Sequence, residues 1–224
     1  MEKNVLKRYR YEIIIFIADA ICMILELIAS RLLSPYFGSS NIVWTSVIGI
    51  ILLSSSIGNY LGGKIADKNN IEENLKFILM STSIFILIIP FLQSNILTTI
   101  SKYIENIKIG AIISTIFLFF IPSLGMGLLT PIILRLKLNN MQTAGKITGT
   151  INAIATIGGI TGTFLGGFLL IPNLGSINIL LILVILLVWL IPLVNFKLKE
   201  KSTIIVVIIT IISLFSLYIN TISN

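Results

Sequence analysis

Three acidic residues lie seven positions apart in the first apolar segment of the chain: Glu12, Asp19 and Glu26. Seven residues make nearly two helical turns, so the three carboxylates share one stripe of a helix, with about 20° of drift per heptad. Counted from Tyr11 at ~1.5 Å per residue, Asp19 lies ~12 Å and Glu26 ~22 Å along the segment. A carboxylate at the centre of a membrane costs about 2.5–3.5 kcal/mol on insertion scales, so it normally faces the protein interior and pairs, titrates or binds a cation.

Two interpretations of these carboxylates stay open. Asp19 and Glu26 either bind a proton or a cationic substrate, or they are hydrogen-bonded carboxyls that hold helices together. Glu12 is expected to be an interfacial charge. The chain has no histidine and a single cysteine, Cys22, so proton chemistry must use carboxylates and an intrachain disulfide is excluded. We expect no catalytic residue, no metal ligand and no cofactor.

The composition sets the class of protein. Of the 224 residues, 56% are hydrophobic and only 11% are charged, whereas about a quarter of a soluble domain is charged. Six apolar stretches approach or exceed the ~20 residues that a membrane-spanning helix needs. They cover residues 11–33, 42–62, 75–92, 109–134, 147–170 and 177–194, with a further stretch at 203–219. We therefore predict an all-α polytopic membrane protein, a single transmembrane domain over residues 1–224 with six to seven helices.

The basic residues indicate how the chain is oriented. Thirteen of the 16 lysines and arginines fall on one side of the predicted spans. They are Lys3, Lys7, Arg8, Arg10, Lys64, Lys68, Lys76, Arg135, Lys137, Lys146, Lys197, Lys199 and Lys201. The positive-inside rule then predicts a multi-pass protein of the plasma membrane with its N-terminus in the cytoplasm. The lipid bilayer is the expected partner, and nucleic acid is not.

An internal repeat is visible in two ordered matches. Residues 32–35 (LLSP) recur as residues 128–131 (LLTP), and residues 58–63 (GNYLGG) recur as residues 162–167 (GTFLGG). Three spans separate the copies, and an odd number inverts their direction, as in many transporters. The predicted repeats cover about 11–92 and 107–194, and the helix at about 203–219 is extra. This alignment places Pro122 opposite Glu26.

Small residues recur every four positions in the second and fifth spans. They are Ser54, Gly58 and Gly62 in one span and Gly158, Gly162 and Gly166 in the other. Such ridges predict close helix contact. Asn59 lies within the first ridge, where it makes either an interhelical hydrogen bond or a contact with a ligand.

Two further residues are singled out in the spans. Pro122 is followed by Gly125 and Gly127, which predicts a kink or break in the fourth span and a lining for a binding site. Arg31 lies about 140° around the helix from Glu26, so it is expected to reach the membrane interface or to pair with another helix.

The motifs together resemble a known family. ELIASRLLSPYFGSS (26–40), WTSVIG (44–49), GNYLGG (58–63), GMGLLTP (125–131) and TGTFLGG (161–167) are similar to the N-terminal membrane domain of spermidine synthase-like proteins. The resemblance implies half of a major facilitator-like fold linked to polyamine metabolism. GGKIADK (62–68) resembles a loop motif of major facilitator transporters, in which Asp67 would help to latch the cytoplasmic gate. The Gly-rich nucleotide loop of the aminopropyltransferase domain is missing from these residues, so no enzyme activity is expected of them.

The preferred hypothesis is a transporter-like module that binds or moves a cationic small molecule or a proton. Glu26, Asp19, Asn59 and Pro122 would form the site, and a half-sized unit is expected to form a homodimer. Arg31, Asp67 and the glycines Gly58, Gly62, Gly162 and Gly166 would gate or support it. Two alternatives are a membrane anchor for a separate cytoplasmic spermidine synthase and the membrane portion of a spermidine synthase-like enzyme.

Overall fold

A computed structural model describes the backbone of residues 2–138, 141–195 and 200–222 and the side chains of residues 9–138, 142–195 and 206–217. The described backbone is almost entirely helical and contains no strand. Six of its helices are long and apolar enough to cross a membrane, which confirms the predicted fold class. They are α1 (Glu2–Phe37), α2 (Asn41–Ala66), α3 (Ile71–Tyr103), α4 (Ile107–Lys137), α5 (Ala144–Phe164), whose span continues to Asn173, and α6 (Ser176–Trp189), whose span continues to Val194.

A seventh helix, α7 (Glu200–Ile222), packs against α6 and α3. Its described apolar stretch, Val206–Leu217, is shorter than the ~20 residues that cross the hydrocarbon core. The predicted span at 203–219 extends beyond these side chains, and Lys197 and Lys199 lie outside the described residues.

Short polar turns set the helix ends. Gly38 has a φ of +82° and its N–H donates to the carbonyl of Ser34 at 2.9 Å, which ends α1 with a left-handed residue. The side chain of Asn106 accepts from the N–H groups of Lys108 (3.0 Å) and Ile109 (3.4 Å), which caps the start of α4. These tight connections make neighbouring spans antiparallel.

The first and fourth helices run in opposite directions. Glu12, near the start of α1, pairs with Lys137 at the end of α4, and Phe37 at the end of α1 packs on Gly110 near the start of α4. The second set of three helices is therefore inverted relative to the first, as predicted. The repeat matches α1 with α4 and α2 with α5. It therefore relates the two most extensive helix contacts to each other, namely α2 with α4 and α1 with α5.

These two crossings share one register. The ridge residues of the second and fifth spans lie against the partner helix, and every residue of one crossing is 104 positions from its counterpart in the other. The matching contacts are Ser54–Phe120 with Gly158–Phe16, Gly58–Leu124 with Gly162–Ala20, and Gly62–Leu128 with Gly166–Ile24. The predicted close contact of the ridges is therefore confirmed. Because both ridges pack inside one protomer, they are not free to form a dimer.

The register corrects part of the sequence alignment. Residues 32–35 and 128–131 are 96 positions apart, whereas the contacts require 104. Pro122 then corresponds to Ala18, and the predicted equivalence of Pro122 and Glu26 is wrong. The glycines mark the register because a backbone can approach them closely.

α4 continues through Pro122 as one helix, so the predicted break is wrong, whereas the predicted kink stays a prediction. Hydroxyl groups of α2 contact this part of α4, since Ser54 donates to the carbonyl of Phe120 and Ser55 to that of Ser123 at 3.4 Å. In the fifth span, by contrast, α5 passes into a π-helical segment, Leu165–Leu170.

Candidate functional site

The carboxylates of α1 lie on the flank of the helix between α4 and α5. At one end of the stripe, Oε1 of Glu12 is 2.5 Å from Nζ of Lys137 on α4. Met23, which shares the stripe because it lies four residues after Asp19 and three before Glu26, packs over Gly159 of α5. α4 and α5 make few contacts with each other. Asp19 and Glu26 are half-buried on this stripe. The strip of surface that they share with Met23, between α4 and α5, is called the carboxylate groove here.

Asp19 and Glu26 have no partner among the described residues. Neither carboxylate makes a hydrogen bond or an ion pair there, although each lies well inside a membrane-spanning helix. The structure thus offers no support for the interpretation that these carboxyls hold helices together. An unpaired carboxyl at this depth is best stabilised by a proton, a cation or water.

Asn59 and Pro122 lie elsewhere on the bundle. Asn59 is exposed on α2, one turn after Ser55, and its side chain makes no hydrogen bond to any described residue. Pro122 is buried within α4. No hydrogen bond or ion pair among the described side chains joins Asn59 to Asp19 or Glu26, and the predicted four-residue site stays a prediction.

The two predicted gating residues have different surroundings. Arg31 is exposed and its guanidinium donates to the carbonyl of Ile171, directly after the π-helical segment of the fifth span. Arg31 therefore contacts another helix, which was one of the two predictions for this residue. Asp67 caps the end of α2 and lines a cavity of about 580 Å³ together with Arg135. Asp67 makes no ion pair with any described residue, so no latch through it is formed here.

A polar network that the sequence did not reveal joins α1, α3 and the end of the sixth span. Arg10 donates to Oε1 of Glu72 (2.7 Å) and to the carbonyl of Val194 (2.7 Å). The hydroxyl of Tyr11 donates to the same Glu72 oxygen at 2.7 Å, and the amide of Asn195 donates to Oε2 at 3.2 Å. The sequence marks Arg10 only as one of the basic residues that orient the chain, and it indicates no partner for this side chain. No local spacing could pair two residues that are 62 positions apart.

Glu12 is more than an interfacial charge. Its Oε1 binds Lys137, while its Oε2 is buried and has no hydrogen-bond partner among the described residues. Both side chains line a cavity of about 420 Å³ between the start of α1, the end of α4 and the start of α5. Within the part of the chain that the structure describes, no three His, Cys, Asp or Glu side chains are grouped to hold a metal ion.

Comparison with known proteins adds no family to this description. No protein-family model, curated protein or solved structure matches the chain. The resemblance to spermidine synthase-like membrane domains therefore stays a prediction.

Proposed function

We propose that this multi-pass membrane protein is a transporter-like module that binds a cation or a proton at Asp19 and Glu26. The observation that carries the proposal is the pair of half-buried carboxylates inside α1 that have no partner among the described residues. Ionisable groups at such a depth commonly mark ion or substrate pathways. The inverted repeat supports the same class, because secondary transporters are commonly built this way.

We further propose that the cation belongs to the polyamine class. The two carboxylates are seven residues apart on one helix, which separates them by about 10 Å. An extended triamine carries ammonium groups at both ends and can span such a distance. The family resemblance supports the polyamine, whereas the carboxylate pair by itself supports only a cation.

The carboxylate groove also supports a homodimer. Its half-buried acids would face lipid in a lone six-helix bundle, which is costly. A second copy placed over the groove would cover them. We propose such a dimer in the plasma membrane, with the N-terminus of each copy in the cytoplasm. Light scattering in detergent and cross-linking in native membranes measure the stoichiometry, and a purely monomeric protein in both would refute it.

The proposed function is tested by flux in proteoliposomes. Purified protein is reconstituted and assayed with radiolabelled spermidine, putrescine and a pH-sensitive dye under proton gradients of either direction. We expect uptake or proton movement that Glu26→Gln abolishes and Asp19→Asn reduces. Glu105→Gln is the matched control, because Glu105 is an exposed acid in the turn between α3 and α4. Flux that survives in Glu26→Gln would refute the site, and no flux of any solute would refute transport.

The alternatives predict a different result. A membrane anchor for a separate spermidine synthase, or the membrane portion of such an enzyme, would show no flux but would retain a soluble synthase on the membrane. Co-purification of that synthase from native membranes, with flux absent, would favour these alternatives over transport.

A further inference from the structure

The exposed surface of α5 is divided into two flanks of contrasting chemistry. The apolar flank carries bulky side chains that are at least half exposed. Its members are Ile157 (56%), Ile160 (50%), Phe164 (56%) and Phe168 (72%). The other flank, called the polar flank here, carries Asn152, Thr156, Gly159 and Thr163 at spacings of four, three and four residues. The hydroxyls of Thr156 and Thr163 donate to carbonyls of the same helix at 2.9 Å, so the side chain of Asn152 is the polar group on this flank without a described partner.

The polar flank borders the carboxylate groove. Gly159 belongs to this flank, and Met23 of the carboxylate stripe packs over it. Gly158 lies against Phe16 and Gly162 against Ala20, so Thr156 and Thr163 bracket Asp19 in depth. Asn152 is exposed, and its side-chain amide makes no hydrogen bond to a described residue. One wall of the groove thus carries carboxylates and the opposite wall carries amide and hydroxyl groups.

A cavity lies at the end of the bundle where α1 begins, and Glu12 of the carboxylate stripe lines it. This cavity of about 420 Å³ is lined by Tyr9, Glu12, Lys137, Lys146 and Thr150, among others. Glu12 is the first member of the stripe, and Asp19 and Glu26 follow at intervals of about 10 Å. The buried Oε2 of Glu12 adds an acceptor without a described partner at this position. Carboxylates are therefore spaced from the cavity into the membrane.

We propose that this cavity is the mouth of an aqueous pathway, which runs along the groove past Asp19 to Glu26 with the polar flank of α5 as its second wall. The pathway assigns solvent contact to Asn152, Thr156 and Thr163, and it places Glu12 at the mouth, where the carboxylate offsets the positive charges of Lys137 and Lys146. The identity of the solute rests on the proposed function, whereas the presence of water in the groove does not.

Cysteine accessibility tests the pathway without any transport assay. Full-length protein with Cys22→Ala receives Thr156→Cys or its neighbour Ile157→Cys, and reconstituted vesicles are treated with a membrane-impermeant cationic methanethiosulfonate. The thiolate is the reacting form and is scarce in hydrocarbon, so we expect Thr156→Cys to react about tenfold faster or more. Thr163→Cys and Ile160→Cys form a second pair, which keeps the test valid if one variant misfolds.

The mouth has its own electrostatic readout. Glu12→Gln leaves the positive charges of Lys137 and Lys146 at the cavity. The cationic reagent should therefore react more slowly relative to its anionic counterpart. We expect the ratio of the two rates at Thr156→Cys to fall by a factor on the order of ten. An unchanged ratio would remove Glu12 from the pathway.

Each result separates this inference from the proposed function. Equal rates at the polar and apolar flanks, whether fast or slow, would overturn the pathway even if flux is observed. Selective labelling of the polar flank would sustain the pathway even if Glu26→Gln leaves flux unchanged, and only the proposed function would then fail.

Discussion

Gly162→Ala tests the shared register of the two helix crossings most directly. A methyl group at Gly162 would lie against the carbonyl oxygen of Ala20 and only 2.6 Å from its Cα. The same change at Gly58, its counterpart in the other crossing, would place a methyl group against the carbonyl of Leu124 and 3.1 Å from Cα of Gly127. These are backbone atoms, so the helices themselves must move apart.

The expected magnitude follows from this geometry. An ordinary contact between carbon atoms needs about 3.5–4.0 Å, so α1 and α5 must separate by roughly 1 Å at Gly162. Overpacking of this kind costs about 1–3 kcal/mol. Alanine also gains about 1 kcal/mol of helix propensity over glycine, so the cost is clearest against a glycine that has free space. Gly63 and Gly167 are such positions, since a methyl group there would meet nothing within 4 Å.

Thermal unfolding in detergent or nanodiscs, followed by circular dichroism, measures the difference. For a chain of this size 1 kcal/mol corresponds to about 2–4 °C, so Gly162→Ala should unfold on the order of 5 °C below Gly167→Ala. Gly58→Ala should fall below Gly63→Ala by a similar amount. Equal midpoints within either matched pair would refute the packing of that crossing, and a large drop in one pair only would refute the symmetry.

Three further variants test the polar contacts. Glu72→Gln weakens the network around Arg10, and we expect a loss of about 1–3 kcal/mol in thermal or denaturant unfolding. Lys137→Met leaves the carboxylate of Glu12 without this partner, and we expect the free energy of unfolding to fall by roughly 1–3 kcal/mol. Adding Glu12→Gln in a double variant should restore most of this stability. Arg31→Ala removes a donor from the carbonyl of Ile171, so hydrogen exchange at the end of the fifth span should quicken.

Matched controls use exposed residues of the same type. Glu105→Gln should leave the unfolding midpoint unchanged, in contrast with Glu72→Gln, and Lys108→Met should do the same in contrast with Lys137→Met. Lys102→Ala should not change hydrogen exchange in the fifth span. A Glu12→Gln/Lys137→Met double variant no more stable than Lys137→Met alone would contradict the expected coupling, and unaltered exchange in Arg31→Ala would contradict the role of its hydrogen bond.

The spans were predictable because apolar length alone fixes them. The predicted span at 177–194 agrees closely with Ser176–Val194, and the positions of the glycine ridges correctly indicated close packing. The third span is the poorest match, because Ile71–Tyr103 continues past the apolar run into a polar stretch at 93–102. A helix keeps its backbone hydrogen bonds outside the hydrocarbon, so hydropathy does not mark its end.

The partners of the site were beyond local sequence patterns. The heptad of acids placed Asp19 and Glu26 on one stripe, but only the contacts of Glu12 and Met23 show which helices flank it. The predicted break at Pro122 was wrong because α4 continues as one helix through the proline. The hydroxyls of Ser54 and Ser55 on α2 bond carbonyls of this part of α4, and these contacts depend on a helix register that the sequence does not state.

The two crossings cannot form at the same time while the chain is being synthesised. The contact between Ser54 and Phe120 joins residues 66 positions apart, whereas Phe16 must wait for Gly158, 142 positions later. At about 5–20 residues per second, α1 stays without α5 for roughly 7–30 s. During that interval its carboxyl stripe lacks one wall, and each mid-membrane acid disfavours insertion by about 2.5–3.5 kcal/mol. The helix made first therefore lacks its most extensive partner until the fifth span is synthesised.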